Sequence, residues 1–173
     1  MLRKLILGSA LAVFAVTPSW ADTANLLAVF KNWETYTSGS GDQMSCFAVS
    51  KPRAQQPRTA KRAPIGLMVT DWPGRKVKAE PEIVPGYAYR PGTAVFLEIG
   101  GDKFNFFARN DGANGSAWLK DLKDGDALLN ALNGGVSAVA FGTTSRGTRT
   151  VDTYSLAGFS EALARIHAAC NMG

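Results

Sequence analysis

The residues able to do acid–base or nucleophilic chemistry are few and scattered. His167 is the one histidine of the 173-residue chain, and it sits beside the apolar face of a C-terminal helical pattern. As a general base it needs a nucleophile and an orienting acid. Ser155, Ser160 and Asp152 are near it in sequence, yet Ser155 has a simpler use as the N-cap of that helix, its hydroxyl accepting from a free first-turn amide. No catalytic residue is assigned, and the expected class is not an enzyme. One histidine with two cysteines, Cys46 and Cys170, makes a poor metal set. Asn110-Asp111-Gly112-Ala113-Asn114-Gly115 is rich in oxygens but lacks the spacing and distal glutamate of an EF-hand, so it reads as a turn. No metal and no cofactor is expected.

The cysteines are better explained by export. Arg3 and Lys4 precede an apolar run from Leu5 to Val16, followed by Pro18 and a small-residue site at Ser19-Trp20-Ala21. This is the pattern of a secretory signal peptide over residues 1–21, cleaved after Ala21. The run is shorter than the roughly 20 residues of a bilayer-spanning helix, and Asp22 rather than a cysteine follows, which disfavours a lipid anchor. Residues 22–173 are expected as a single domain with no transmembrane segment, periplasmic or secreted and outer-membrane-associated. The leader carries two of the 19 cations and none of the 14 acids, so that domain has a net charge of +3 (17 against 14). In an exported protein a cysteine pair without a CxxC motif points to a structural disulfide, Cys46 to Cys170, the alternative being two reduced or intermolecular thiols. Such a bridge closes more than a hundred residues of chain, which the chain-entropy relation values at about 4 to 5 kcal/mol.

Two stretches have the chemistry of binding surfaces. Lys51 to Arg62, KPRAQQPRTAKR, holds five cations, two prolines and no acid, and reads as an exposed loop. The charge of Arg53, Arg58, Lys61 and Arg62 could attract phosphate-rich lipopolysaccharide, an acidic protein or nucleic acid, and the plainer reading, which is preferred, is a solvated hairpin tip. Specific nucleic-acid binding is not expected, because no aromatic is interleaved to stack on bases. The second stretch is the turn-rich bridge with Tyr87, Tyr89 and Arg90, together with Trp72, since exposed aromatics and arginines are typical interface anchors. The expected partner is a protein or an envelope polyanion; the oligomeric state is left open.

The elements that must position these residues are mostly strands. Leu26 to Tyr36 is a first candidate, with a bulge between Phe30 and Trp33; Gln43 to Ser50 returns beside it and turns Cys46 inward. Ile65 to Asp71 and Lys78 to Val84 form a pair around Trp72-Pro73-Gly74-Arg75, and Pro81 and Pro85 give the second an edge character. Val95, Leu97 and Ile99 alternate against Phe96 and Glu98, and Lys103 to Ala108 returns after Gly100-Gly101-Asp102. A short strand over residues 117–120 and a helix from Asp124 or Asp126 through Asn133 follow. Val136 to Phe141 then pairs with Thr148 to Tyr154 before the closing helix, whose Leu156, Phe159, Leu163, Ile166 and Cys170 share a face. Eight or nine strands and two helices predict a mainly β fold, an antiparallel sandwich or flattened barrel with a short helix and a C-terminal closing helix. An outer-membrane barrel is disfavoured by strands this short and irregular.

Phe30-Lys31-Asn32-Trp33, then Cys46 on the following strand, then Val151-Asp152-Thr153-Tyr154-Ser155-Leu156-Ala157-Gly158-Phe159 entering a helix, together resemble the invasion-associated locus B family. The resemblance implies an exported, mostly alphaproteobacterial protein with a predominantly β domain, no established catalytic site and a link to host-cell invasion. Members often carry a further cysteine pair in the central region, where this chain has Phe107-Ala108-Arg109 and Gly115-Ser116-Ala117.

Overall fold

The computed structural model describes residues 24–58 and 62–173. The expected signal peptide and Lys61 lie outside the described residues. Within them the chain runs β1 (Asn25–Phe30), β2 (Trp33–Ser38), β3 (Ser45–Ser50), β4 (Ala54–Gln56), β5 (Gly66–Trp72), β6 (Val77–Val84), β7 (Val95–Ile99), β8 (Asp102–Asp111), β9 (Asn114–Leu119), α1 (Gly125–Gly134), β10 (Ser137–Thr143), β11 (Arg149–Ser155) and α2 (Phe159–Ala169). All strands join one open antiparallel sheet in the order β1-β2-β3-β5-β6-β9-β8-β7-β10-β11-β4. The mainly β architecture with a short helix and a closing helix is as predicted; the strands number eleven and form a single sheet.

Alternation decides the two faces of that sheet. Inward residues such as Val95, Leu97 and Ile99 on β7 and Ala138 and Ala140 on β10 are buried, and they join Trp33, Leu67, Val69, Ile83, Tyr154 and the helix residues Leu128, Leu132, Phe159 and Ile166 in one core. Residues from both ends of the sheet share this core, so the sheet is folded over on itself. Leu156, Phe159, Ile166 and Cys170 are buried and Leu163 packs against them, which bears out the inward face expected of the closing segment.

Four expectations are corrected. Leu26 to Tyr36 is a tight hairpin rather than one strand: Lys31 takes a positive φ of 52° and Phe30 faces Trp33 across the turn, which explains their spacing of three. The bulge lies between Leu26 and Ala28 instead, and it puts Leu26 and Val29 both outward, opposite Tyr36 and Glu34. β6 is interior, between β5 and β9, despite Pro81 and Pro85; its ladder to β9 covers Glu82 and Ile83 and begins just past Pro81. The basic stretch is no simple loop, since β4 pairs with β11 and Arg53 donates its amide to Thr153 at 2.8 Å. Finally, α2 starts at Phe159 with Gly158 at its N-cap (φ 94°), while Ser155 closes β11 and its Oγ accepts from the Ala157 amide at 3.3 Å.

Candidate binding surface

On the outer face of the sheet, Phe96 of β7, Phe141 of β10 and Val151 of β11 stand in one cross-strand row. Their inward neighbours fill the core, so alternation forces these side chains outward. The two phenyl rings are stacked, with centroids 4.6 Å apart and planes within 16°. That separation is close to the inter-strand spacing of about 4.8 Å, so the rings stand upright side by side. Lys103 Nζ covers the far face of Phe96 at 3.6 Å from its centroid. Ring edges, which carry the positive part of the aromatic quadrupole, are therefore what this row presents to solvent.

A groove of about 670 Å³ runs over this row to the β10–β11 turn, where Arg90 and Arg149 line it. Arg90 is brought there by backbone pairing, its amide donating to the Thr143 carbonyl at 2.9 Å. Gly147 makes room for it: at φ 88° the turn suits glycine, and a Cβ there would lie 2.9 Å from Arg90 Nη1. Arg149 faces Thr143 in register, and Arg146 stands on the same turn. All three arginines are exposed. Among the described residues no carboxylate lies within ion-pairing distance of any of them.

The sequence-predicted binding residues are brought together only in part. Arg53 and Arg58 are exposed as expected. Arg62 is not a surface cation: its side chain is 3% exposed and forms a bidentate pair with Asp152, Nη2 to Oδ1 at 2.5 Å and Nη1 to Oδ2 at 2.8 Å. Burial disfavours its charge, but the Asp152 carboxylate more than offsets this and holds the guanidinium above its ordinary pKa. It also donates to the Pro85 carbonyl and to Gln55 Oε1, both at 3.3 Å, so it fastens the strap from Lys51 across β11. Arg62 Nε and Tyr154 Oη are buried without a hydrogen-bond partner among the described residues. Tyr89 is likewise no interface anchor, being 2% exposed, because its strand-like bridge to Thr144 turns the ring inward and Asn110 bonds its amide and carbonyl, each at 2.8 Å. That use of Asn110 also accounts for one oxygen of the supposed cation loop.

Tyr87 is half-buried with its hydroxyl 2.5 Å from Thr150 Oγ1, and burial raises its pKa. Trp72 is separate from this bridge. The β5–β6 register sets Trp72 opposite Val77 at one end of the hairpin, whereas the bridge leaves from Val84 at the other. Its indole donates to Glu80 at 2.9 Å and Arg75 lies over its ring at 5.2 Å. Of the predicted aromatic surface, Arg90 alone lines the groove. Phe96, Phe141 and Arg149 were missed, although an aromatic on the polar side of an alternating strand was a signal for the first.

His167 and the two cysteines belong to a different place, the seam where α2 covers β1, β2, β3 and β5 and the β1–β2 turn meets the end of β11. Trp33 Nε1 donates to the Ser155 carbonyl at 3.1 Å, Asn32 donates its amide to Ala157 at 3.3 Å, and Trp33 meets Phe159 edge-on at 4.9 Å. Any Cβ at Gly158 would overlap the Phe30 carbonyl oxygen. Cys46 and Cys170 form a disulfide here. Asp71, the register partner of Cys46, is fully buried; its Oδ2 lies 2.6 Å from His167 Nδ1 and its Oδ1 accepts from the Ala79 amide at 2.8 Å. Ala79 is held at φ 54°, a left-handed conformation that this bond stabilises. The residues closest to a catalytic set are thus occupied separately: Asp152 with Arg62, Ser160 with Asn133, Ser155 with Ala157.

No family model and no curated protein matches the chain. Among solved structures, the crystal structure of invasion associated protein B from Bartonella henselae has the same fold, with a TM-score of 0.58, 14% identity, and coverage of 82% of this chain and 96% of the other.

Proposed function

We propose that this is an exported, non-catalytic binding protein that takes its partner on the outer groove of β7, β10 and β11. One observation carries the reading: Arg90, Arg149 and the nearby Arg146 sit exposed around an aromatic row with no carboxylate partner among the described residues, while the polar groups of the seam are almost all partnered. Like charges held close without neutralisation raise the local potential and draw an anionic partner. The chain's disulfide is compatible with export, and no described helix is long and apolar enough to cross a membrane. The likeness to a bacterial invasion associated protein supports a role at the host-facing envelope.

Photo-crosslinking in intact cells tests this. A benzoylphenylalanine placed at Val139, outward on β10 beside the groove, should capture a partner, and the same group at Glu161 on α2 should not. Capture should fall when Arg90 and Arg149 are both changed to Glu, and it should weaken at high salt. Capture from Arg58 on the strap that survives the double change would move the binding site to the basic strap and overturn the reading. No capture at any position would favour a structural envelope role.

A further inference from the structure

Resting on the groove being the binding site, we infer that its ligand is an amphiphilic anion: a phosphate head held by Arg90 and Arg149 and an apolar body lying along Ala94, Phe96, Phe141 and Val151. The two ends of the groove differ in kind. At the turn end stand guanidinium groups with no carboxylate of their own among the described residues, flanked by the hydroxyl of Thr143, a donor set that suits a tetrahedral oxyanion; the Thr93 hydroxyl donates to the Arg90 carbonyl at 2.8 Å. Toward β7 the lining is aromatic and aliphatic. About 670 Å³ is far more than a free phosphate fills, so the groove has room for an apolar body beside the head.

The ring geometry narrows what that occupant is. Sugars and planar bases bind aromatics face to face, but one face of Phe96 is taken by Phe141 and the other by Lys103. The edges that remain accept an aliphatic chain by contact and repel no anion. Phe96 is therefore a poor platform for a neutral glycan. The second groove of the molecule, about 580 Å³ beside the β8–β9 hairpin, is lined by both Arg109 and Asp111 and so has no comparable excess of positive charge.

Dodecyl phosphate below its micelle concentration is the probe, set against inorganic phosphate and dodecyl maltoside on the purified oxidised protein. Calorimetry should give one saturable site for dodecyl phosphate, at least about tenfold tighter than either control. Arg149→Glu and Arg90→Glu should each weaken it about tenfold or more, with unfolding curves unchanged. Equal binding of dodecyl maltoside, or no response to charge reversal, overturns the proposal. Crosslinks at Val139 that persist while dodecyl phosphate fails to bind would reject this ligand class and leave the groove as the site. Retention by phosphatidylglycerol but not phosphatidylcholine vesicles would identify a lipid headgroup as the source; binding of the monomer alone would identify a free phosphorylated amphiphile.

Discussion

The seam and the groove are made from the same residue types in opposite arrangements. At the seam Trp33, Asp71 and Ser155 are buried and hydrogen-bonded, the partly buried His167 pairs with Asp71, and a disulfide crosses between β3 and the end of α2. At the groove the aromatics are half exposed and the arginines have no carboxylate partner. A folded chain leaves charge uncompensated only where the stability lost is small, at the surface, and buried polar groups must be satisfied from within. The segments that carry the family resemblance, Phe30 to Trp33 and Tyr154 to Phe159, meet at the seam. They record how two distant parts of the open sheet are fastened together, and that is why they say so little about the partner.

The largest expected effect tests the seam. Replacing Cys46 and Cys170 together by Ala opens a loop with a sequence separation of 124. Unfolding stability should fall by about 4 to 5 kcal/mol, read from the denaturant midpoint with its slope. A loss below about 1 kcal/mol would mean that the noncovalent contacts of Trp33 and Phe159 close the sheet alone, and the contrast with the groove would lose its covalent half.

Next comes the buried ion pair under the strap. Asp152→Ala strands Arg62, whose side chain is 3% exposed, and should cost about 3 to 5 kcal/mol. Arg62→Met with Asp152→Leu should recover part of that loss, because removing both charges leaves no ion unpaired while the Pro85 carbonyl and Gln55 Oε1 lose their donor. Hydrogen exchange at the Arg53 amide, bonded to Thr153, reports whether β4 stays on β11. If the double variant remains as unstable as the single one, the pair supplies position as well as charge balance, and Arg62 sets where Arg53 and Arg58 stand.

What the sequence disclosed follows the same division. Apolar alternation marked Val95, Leu97 and Ile99 as core and the closing segment's inward face, since burial is a local property of period and type. The disulfide was legible because only two cysteines exist to pair. Tyr89 and Arg62 were misjudged because their burial depends on chain that returns from elsewhere: Asn110 for one, Asp152 for the other. Pro81 misled through propensity, as its strand is interior yet pairs only briefly with β9. The groove was invisible because Phe96 and Phe141 meet through sheet order, which brings β7 beside β10, and no local pattern specifies that order.

A smaller effect distinguishes the two outer half-faces by pH. Glu82 lies outward between Met68 and Trp118 in register, and burial raises its pKa above the ordinary 4.5, against the lowering effect of a Ser116 hydrogen bond. A raised carboxyl pKa in the fold means that the folded state binds more protons than the unfolded one. Stability should therefore fall as pH climbs from about the ordinary glutamate value through the raised one, and level off above it. Glu82→Gln should flatten that part of the profile and raise stability at neutral pH. An unchanged slope between the two proteins would show that Glu82 is as well solvated as Arg149.

The smallest expected effect is the most discriminating for the groove. Arg149→Glu removes a guanidinium that pairs with no carboxylate and replaces it, at an exposed strand position, with the opposite charge. No buried donor is stranded and no cavity opens, so stability should move by no more than about 0.5 kcal/mol in either direction. Binding to the groove should nevertheless weaken about tenfold or more. The pairing of those two results is what separates a recognition residue from a structural one, since every seam residue should lose both together. A fall of more than about 1 kcal/mol on Arg149→Glu would show that this arginine supports the β10–β11 turn, and Arg90 would then be left as the groove's only recognition cation.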